Sequence, residues 1–328
     1  MKTKELVLNE LVKHLNQNIS GESLAKTLNL SRTAIWKAIH KLINDGYEIS
    51  SATNKGYCLH MPWRLSKEVI EYFLLKKTPI KHVEFKETTD STQNDAKRFS
   101  LNNKKEVLVL SDYQTAGKGR FGRSYFTYAQ KGFYMSLLIF PKKTFLEISQ
   151  YTLLTAVAVV RAIENLTDKR PLIKWINDIY LNDKKICGIL SEAVTNVESN
   201  QITSVIIGIG LNFSIQQEEF PKELQKKATS LFADTKPSVS RNELIVEIWN
   251  QFYQLMNIDF IEIYRQRSFV LGKQVSFVEE NKTYQGVAKQ ITDTGQLEVL
   301  LNDGNLKSLN AGEISLQSIR NLLTISER

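Results

Sequence analysis

The 328-residue chain has only two cysteines, Cys58 and Cys187, too far apart for a disulfide framework or a CxxC metal or redox motif. Glycine and proline are sparse, 15 and 6 residues, which excludes collagen-like, linker-like and broadly disordered sequence. The longest apolar stretch, Leu153 to Val160, stops at Arg161 and is too short to span a bilayer. The first residues mix acids with apolar side chains and show no signal-peptide core, so the expectation is a cytoplasmic protein without a membrane partner. What the chain does have is 42% hydrophobic content with fifteen Phe, twelve Tyr and four Trp, enough for cores in two or three domains.

Net charge is +8, and residues 1–64 hold nine Lys and Arg against five Asp and Glu. A polyanionic partner and a solvated basic surface both fit that local excess.

Leu8, Leu11, Val12 and Leu15 fall at helical spacing. Ser20 stands as N-cap of a short second helix, and Asn29-Leu30 makes a tight break. Ser31 caps a third helix, Arg32 to Asn44, with Ile35, Ile39 and Leu42 facing inward. Two short strands follow around residues 51–56. Helix, short helix, turn, helix and hairpin predict a winged helix-turn-helix, a fold whose third helix enters the DNA major groove. Its outward side chains would be Ser31, Arg32, Thr33, Trp36, Lys37 and His40, with Lys55 on the wing. A helical protein-interaction domain is the alternative, and Trp36 has the option of folding back into the core. After Pro62-Trp63-Arg64 the pattern changes, and a helix from Ser66 to Lys77 leads onward.

Strands are predicted at 83–87, 107–112, 133–140, 172–182, 186–193 and 204–213, and helices at 92–100, 147–166 and 241–265. Regular βαβ alternation is missing, so the expectation is a mixed, largely antiparallel sheet with helices on one face. Gly117, Gly119 and Gly122 satisfy G-x-G-x-x-G, but no amphipathic helix follows, and a P-loop motif is absent. What remains is a glycine loop carrying Lys118, Arg120 and Arg123, suited to phosphate oxygens; a basic hairpin tip would not need three glycines. Alternation on both sides of Asn182-Asp183-Lys184 reads as a hairpin. Lys185, opening its second strand, is either a strand-end charge or a fixed cation aimed at an anion. Gly208 and Gly210 inside a strand mark close approach of a ligand or backbone.

Asp90-Ser-Thr-Gln, Gln114 with the glycine loop, Lys174-Trp-Ile-Asn-Asp, Lys185-Ile-Cys-Gly-Ile-Leu and Gly208-Ile-Gly-Leu-Asn occur in the order seen in biotin protein ligases. The chain resembles that family over nearly its whole length, and the winged helix in front resembles the bifunctional bacterial class that also represses the biotin operon. The resemblance implies an α+β, class II synthetase-like ligase fold. It also implies a two-step reaction: biotin and MgATP give biotinyl-5′-adenylate, and a lysine of a biotin carboxyl carrier domain then takes the biotinyl group. Lys185 would touch both the biotin carboxyl and the α-phosphate, with Arg120 as its catalytic partner. Ser91, Thr92, Gln93 and Gln114 would bind the ureido ring, flanked by Lys118, Gly119, Gly188 and Gly208. Arg123, Tyr125, Lys174, Asn177, Gly210 and Asn212 would complete the nucleotide side, and Asp178 is the candidate for magnesium. The sequence departs from the family pattern at Lys118, Phe121, Tyr125 and Ile176, none of which removes a charge from that site.

Residues 272–309 read as short alternating strands with hairpin turns, a small SH3-like barrel. The organisation expected is a DNA-binding head at 1–63, a catalytic domain at 64–270, the barrel at 271–320 and a frayed tail at 321–328. One head reads only a half-site, so a liganded homodimer on operator DNA is expected, with the adenylate as corepressor and ordering of loop 116–123 as the switch. The rival readings are a biotin sensor without catalysis and a lipoate or octanoate ligase.

Overall fold

The structure, a computed structural model, describes residues 2–52, 55–102, 105–141, 148–195, 202–310 and 312–316. The tail expected from Asn321 lies outside the described residues. The head is built from α1 (Thr3–Lys13), α2 (Gly21–Leu28), α3 (Arg32–Asn44), β1 (Ile49–Ala52) and β2 (Gly56–Leu59). α2 and α3 start where short polar side chains satisfy free N–H groups: Ser20 Oγ accepts from Ser23 N at 3.0 Å, and Ser31 Oγ from Ala34 N at 3.1 Å. Asn29, at φ 51°, ends α2 in the left-handed conformation and turns the chain into α3. Leu11, Leu24, Ile35, Ile39 and Leu42 form the core of this unit. The hairpin is docked by paired bonds between Ile19 and Tyr57, at 2.9 and 2.8 Å. Gly56 has φ 83°, and a Cβ there would run into the Ile19 carbonyl.

α4 (Lys67–Lys77) belongs to two cores at once. Its Val69 is buried with the head residues, whereas Ile70 and Leu74 are buried with the central domain. The connection before it is gripped by Asn242, whose side chain bonds Pro62 O, Arg64 O and Ser66 N.

The central domain comprises β3 (His82–Thr89), α5 (Thr92–Asn102), β4 (Val107–Gln114), β5 (Gly132–Ile139), α6 (Ser149–Leu166), β6 (Leu172–Lys174), β7 (Asp178–Leu181), β8 (Lys184–Thr195), β9 (Ile202–Asn212), α7 (Arg241–Leu255) and α8 (Ile261–Arg267). Seven strands lie in the order β3-β4-β5-β9-β8-β7-β6, with β3 parallel to β4 and the other pairs antiparallel. This is the mixed sheet expected, with three corrections. Helices cover both faces, because alternate residues of one strand point opposite ways: Leu108 and Leu110 join the core built with α6 and α7, while Val107 and Val109 pack with Ala96 of α5. The single strand predicted at 172–182 is a hairpin, β6 and β7, because Lys174 pairs with Asp178 and residues 175–177 reverse the chain; the Trp175–Ile176 peptide there is cis. The single helix predicted at 241–265 breaks into α7 and α8, where Asp259 Oδ1 accepts from Ile261 N at 3.0 Å and restarts the helix.

Asn182 and Asp183, at φ 49° and 61°, make the tight turn read from the sequence. The carboxyl-terminal unit is a five-stranded antiparallel sheet: β10 (Gln274–Glu279), β11 (Lys282–Ile291), β12 (Leu297–Leu301), β13 (Leu306–Leu309) and β14 (Ser315–Leu316). It docks through Trp175 Nε1, which donates to Gly295 O at 3.0 Å, and Arg265 Nε, which donates to Ile291 O at 2.7 Å.

Gly56→Ala should destabilise the head by more than about 1 kcal/mol, since both the conformation and the space are incompatible with a side chain. Amide exchange should quicken across α1–α3 and stay at wild-type rates in the central sheet; unchanged exchange in α1–α3 would refute the steric argument.

Candidate active site and DNA-reading face

On the sheet face that carries α5, two neighbouring strands, β8 and β9, lack side chains where it matters. Gly188 of β8 pairs with Gly210 of β9, and Gly208 pairs with Leu190 of β8 on one side and Ser136 of β5 on the other. The result is a trough in the sheet, closed at one end by the start of α5. A buried chain of polar groups lines that end. Gln114 Oε1 accepts from Thr92 N at 2.7 Å and from Thr92 Oγ1 at 3.1 Å; Thr92 Oγ1 and Ser136 Oγ lie 2.9 Å apart; Ser136 Oγ donates to Gln93 Oε1 at 2.9 Å. Ser91, Thr92, Gln93 and Gln114, all predicted, come together here. Ser136 was missed, because a lone serine in an apolar strand carries no local signal.

The turn that presents these groups is fixed from behind. Asp90 is held below the ordinary carboxylate range, first by Arg98, which donates to it at 2.9 and 3.1 Å, and by Asn94 at 2.7 Å. Burial pushes Asp95 up, but bonds from Lys86 at 2.7 Å, Thr89 at 2.5 Å and Arg98 at 2.6 Å bring it down overall.

The glycine loop is a compact hairpin closed on its own backbone: Gly119 N donates to Arg123 O at 2.7 Å and Tyr125 N to Gly117 O at 2.8 Å. Phe121 at φ 56° and Gly122 at φ 72° turn its tip. Lys118 Nζ reaches Asn94 Oδ1 at 2.6 Å. Arg120 folds inward to Asn177 Oδ1 at 3.1 Å and Gly312 O at 3.0 Å, while Arg123 pairs with Glu313 at 2.6 Å. Tyr125 lies across the trough. A Cβ on Gly210 would sit 2.5 Å from its ring and one on Gly188 would sit 3.0 Å away; its hydroxyl donates to Gly210 O at 2.6 Å. Gln93 in turn occupies the space over Gly208, 2.6 Å from a Cβ there. Gly208 and Gly210 line the trough, and the space over them is taken in part by the protein's own Gln93 and Tyr125.

Three adjoining cavities result, and Tyr125 and Lys185 line all of them. The first is the polar trough. The second holds Arg120, Arg123, Lys174 and Lys185 against two carboxylates, Asp178 and Glu313. Lys185 Nζ is 2.6 Å from Asp178 Oδ1, which holds the cation at the wall of the site. Burial depresses the pKa of Arg120 and of Lys174, only partly offset by Asp178 and Glu313, so these cations are under-compensated. The third cavity is apolar, formed by Phe126, Phe220, Leu224 and Ala228 beside Asn212. Asn212 is 5% exposed; its Nδ2 donates to Thr229 O at 3.1 Å, but its Oδ1 has no partner among the described residues. A buried acceptor left open asks for an N–H donor from a ligand. Phe220, Leu224 and Ala228 come from a segment in which the sequence showed no motif.

In the head, Ser31, Arg32, Thr33, Trp36, Lys37, His40 and Lys55 are all exposed, opposite buried Ile35, Ile39 and Leu42. Trp36, 52% exposed, sets its ring centroid 4.1 Å from that of His40, tilted by 55°, and does not fold into the core.

Family models match in the same order as the architecture: an HTH domain over residues 4–58, the Biotin/lipoate A/B protein ligase family over 85–212, and the Biotin protein ligase C terminal domain over 270–317. Fold and site together define a protein ligase of the biotin/lipoate type headed by a helix-turn-helix. The chain is 36% identical over 310 residues to the bifunctional ligase/repressor BirA of Bacillus subtilis (strain 168), covering 92% of this chain and 94% of that protein. Against the protein of the same name from Escherichia coli (strain K12) it is 26% identical over 307 residues, covering 91% and 93%. The solved biotin protein ligase from Aquifex aeolicus, in complex with biotin and ATP, matches with a TM-score of 0.62 at 26% identity, over 73% of this chain and 99% of that one. The chain belongs to the bifunctional ligase/repressor family of biotin protein ligases.

Because the folded values of Asp90 and Asp95 lie below the ordinary 3.8, each contributes stability that is complete above that value and drains away as pH falls through the lowered one. Arg98→Met should therefore lower the urea midpoint at neutral pH and lose most of that deficit near about pH 2. An equal deficit at both pH values would show that these carboxylates are not what the arginine stabilises.

Proposed function

We propose that the protein is an ATP-dependent biotin–protein ligase and a biotin-operon repressor in one chain, acting in the cytoplasm where both ATP and operator DNA are found. The observation that carries the ligase reading is the meeting of three unlike cavities at Lys185. A ureido ring, with donors and acceptors on both edges, suits the buried polar trough. Phosphates suit the cationic cavity, and an adenine base suits the apolar one, where its exocyclic amine supplies the donor that Asn212 Oδ1 lacks. With the pieces so placed, biotin's carboxylate oxygen attacks the α-phosphorus of ATP, the bond to the bridging oxygen breaks, and pyrophosphate leaves. Two anions are brought together in that step, and Lys185 stands where it offsets both the repulsion and the charge that develops. In the second step a carrier-domain lysine amine attacks the acyl carbon, loses its proton, and AMP departs.

Magnesium arriving with ATP would draw charge from the phosphates. Asp178 is the carboxylate suited to hold it. No group of three His, Cys, Asp or Glu able to hold a metal exists among the described residues. Acceptor carrier domains and operator DNA are the macromolecular partners. The homodimer required by a two-fold operator has a free edge to form on: β7 covers β8 only as far as Gly188, leaving residues 190–195 with β9 alone beside them among the described strands.

Lys185→Met should reduce biotin-dependent exchange of pyrophosphate into ATP by at least about a hundredfold; retained exchange would take Lys185 out of the chemistry. A gel shift on DNA upstream of biotin synthesis and uptake genes should require biotin and MgATP together, and Arg32→Ala should abolish it while ligation proceeds. A shift with biotin alone would mean a sensor that needs no catalysis.

A further inference from the structure

The link between head and body is held by a clamp that reads backbone and nothing else. Asn242, fully buried at the start of α7, uses both of its amide hydrogens and its carbonyl on one five-residue stretch. Nδ2 donates to Pro62 O at 2.7 Å and to Arg64 O at 2.8 Å, and Oδ1 accepts from Ser66 N at 2.9 Å. From the other side, Arg64 ties the same stretch to the head: its guanidinium donates to Asp45 O and lies 5.4 Å from the Tyr47 ring centroid. The clamp has a firm base. The preceding residue, Arg241, is 5% exposed and donates to Asp112 Oδ1 at 2.5 Å and Gly132 O at 2.9 Å, pinning the start of α7 to the ends of β4 and β5.

Apolar burial of α4 in two cores is non-directional and holds the head against the body without setting its angle. Three directed bonds to successive carbonyls and an amide do set it. We propose that Asn242 is a positioning residue for DNA recognition: it locks the angle of the winged helix on the ligase body, so that a dimer presents its two α3 helices at one fixed separation. The proposal rests on the reading of the protein as a dimeric repressor. Two heads held at a fixed angle engage two half-sites as one unit and gain the effective concentration of a linked pair; two loose heads lose most of it.

The test begins without DNA. Spin labels on Lys26→Cys in the head and Asp168→Cys in the body, with Cys58 and Cys187 buried, should give a narrow distance distribution in wild type and a broad one in Asn242→Ala. An equally narrow distribution in the variant overturns the clamp. The second arm uses duplexes selected from a random pool by wild-type protein with biotin and MgATP. Lengthening the spacer between half-sites by about half a helical turn should cost wild type at least about thirtyfold in affinity. In Asn242→Ala the same change should cost less than about threefold, with ligation and single half-site binding unchanged. Wild-type spacing discrimination in the variant overturns the proposal. Asn242→Ser, which keeps one hydrogen-bonding group, should fall between the two and serves if the alanine variant does not fold. Failure of wild type to select any DNA would sink the repressor reading, while the distance measurement still decides the clamp.

Discussion

One ring holds the site together. Tyr125 rests on two strands at places where no side chain stands, and its hydroxyl closes on the carbonyl of one of those glycines. Burial raises the pKa of that hydroxyl well above its free value, so it stays a neutral donor throughout the physiological range. Because the ring follows directly on the glycine loop, seating it also seats the loop, and because it borders all three cavities it separates polar, cationic and apolar environments by a single wall. A tryptophan is usual at this position in the family the sequence resembles; the phenol keeps the flat surface and adds an anchor to the sheet.

The cations around that wall are arranged for a guest. Arg120 and Lys174 carry a desolvation cost that Asp178 and Glu313 only partly repay. Arg123 leans on Glu313, whose own pKa it lowers, and so links the loop to the carboxyl-terminal sheet. A polyanion bound there as proposed would relieve the first cost, and the preorganised charges would require little rearrangement. The hairpin bonds of loop 117–125 give that preorganisation a backbone basis, so the closed loop is a conformation the chain supports by itself.

Features settled within a few residues of one another were legible in the sequence. The serine caps of α2 and α3, the left-handed Asn29, the Asn182-Asp183 turn and the glycine loop each act through local backbone geometry, and each stands where it was expected. The polar residues of the trough were legible through the ordered motifs that the chain shares with biotin protein ligases. What escaped notice depends on partners far along the chain. Ser136 matters only because β5 lies beside β9, Phe220 and Leu224 only because their segment folds back onto Asn212, and Asn242 only because it meets a stretch some 180 residues earlier. Which face α5 covers is likewise a question of strand parity across the whole sheet, and no window of local sequence contains it.

The double membership of α4 has a consequence for how such a protein can be taken apart. A cut after residue 63 would leave the head without Val69 and without the flanking Tyr72 and Phe73, exposing the side of its core that they cover. A cut after Lys77 would restore them but strip Ile70 and Leu74 from the larger core. Head and ligase are therefore not interchangeable cassettes in this chain. Any exchange of the head in this chain would have to carry the helix with it and find an acceptor already shaped to its other side.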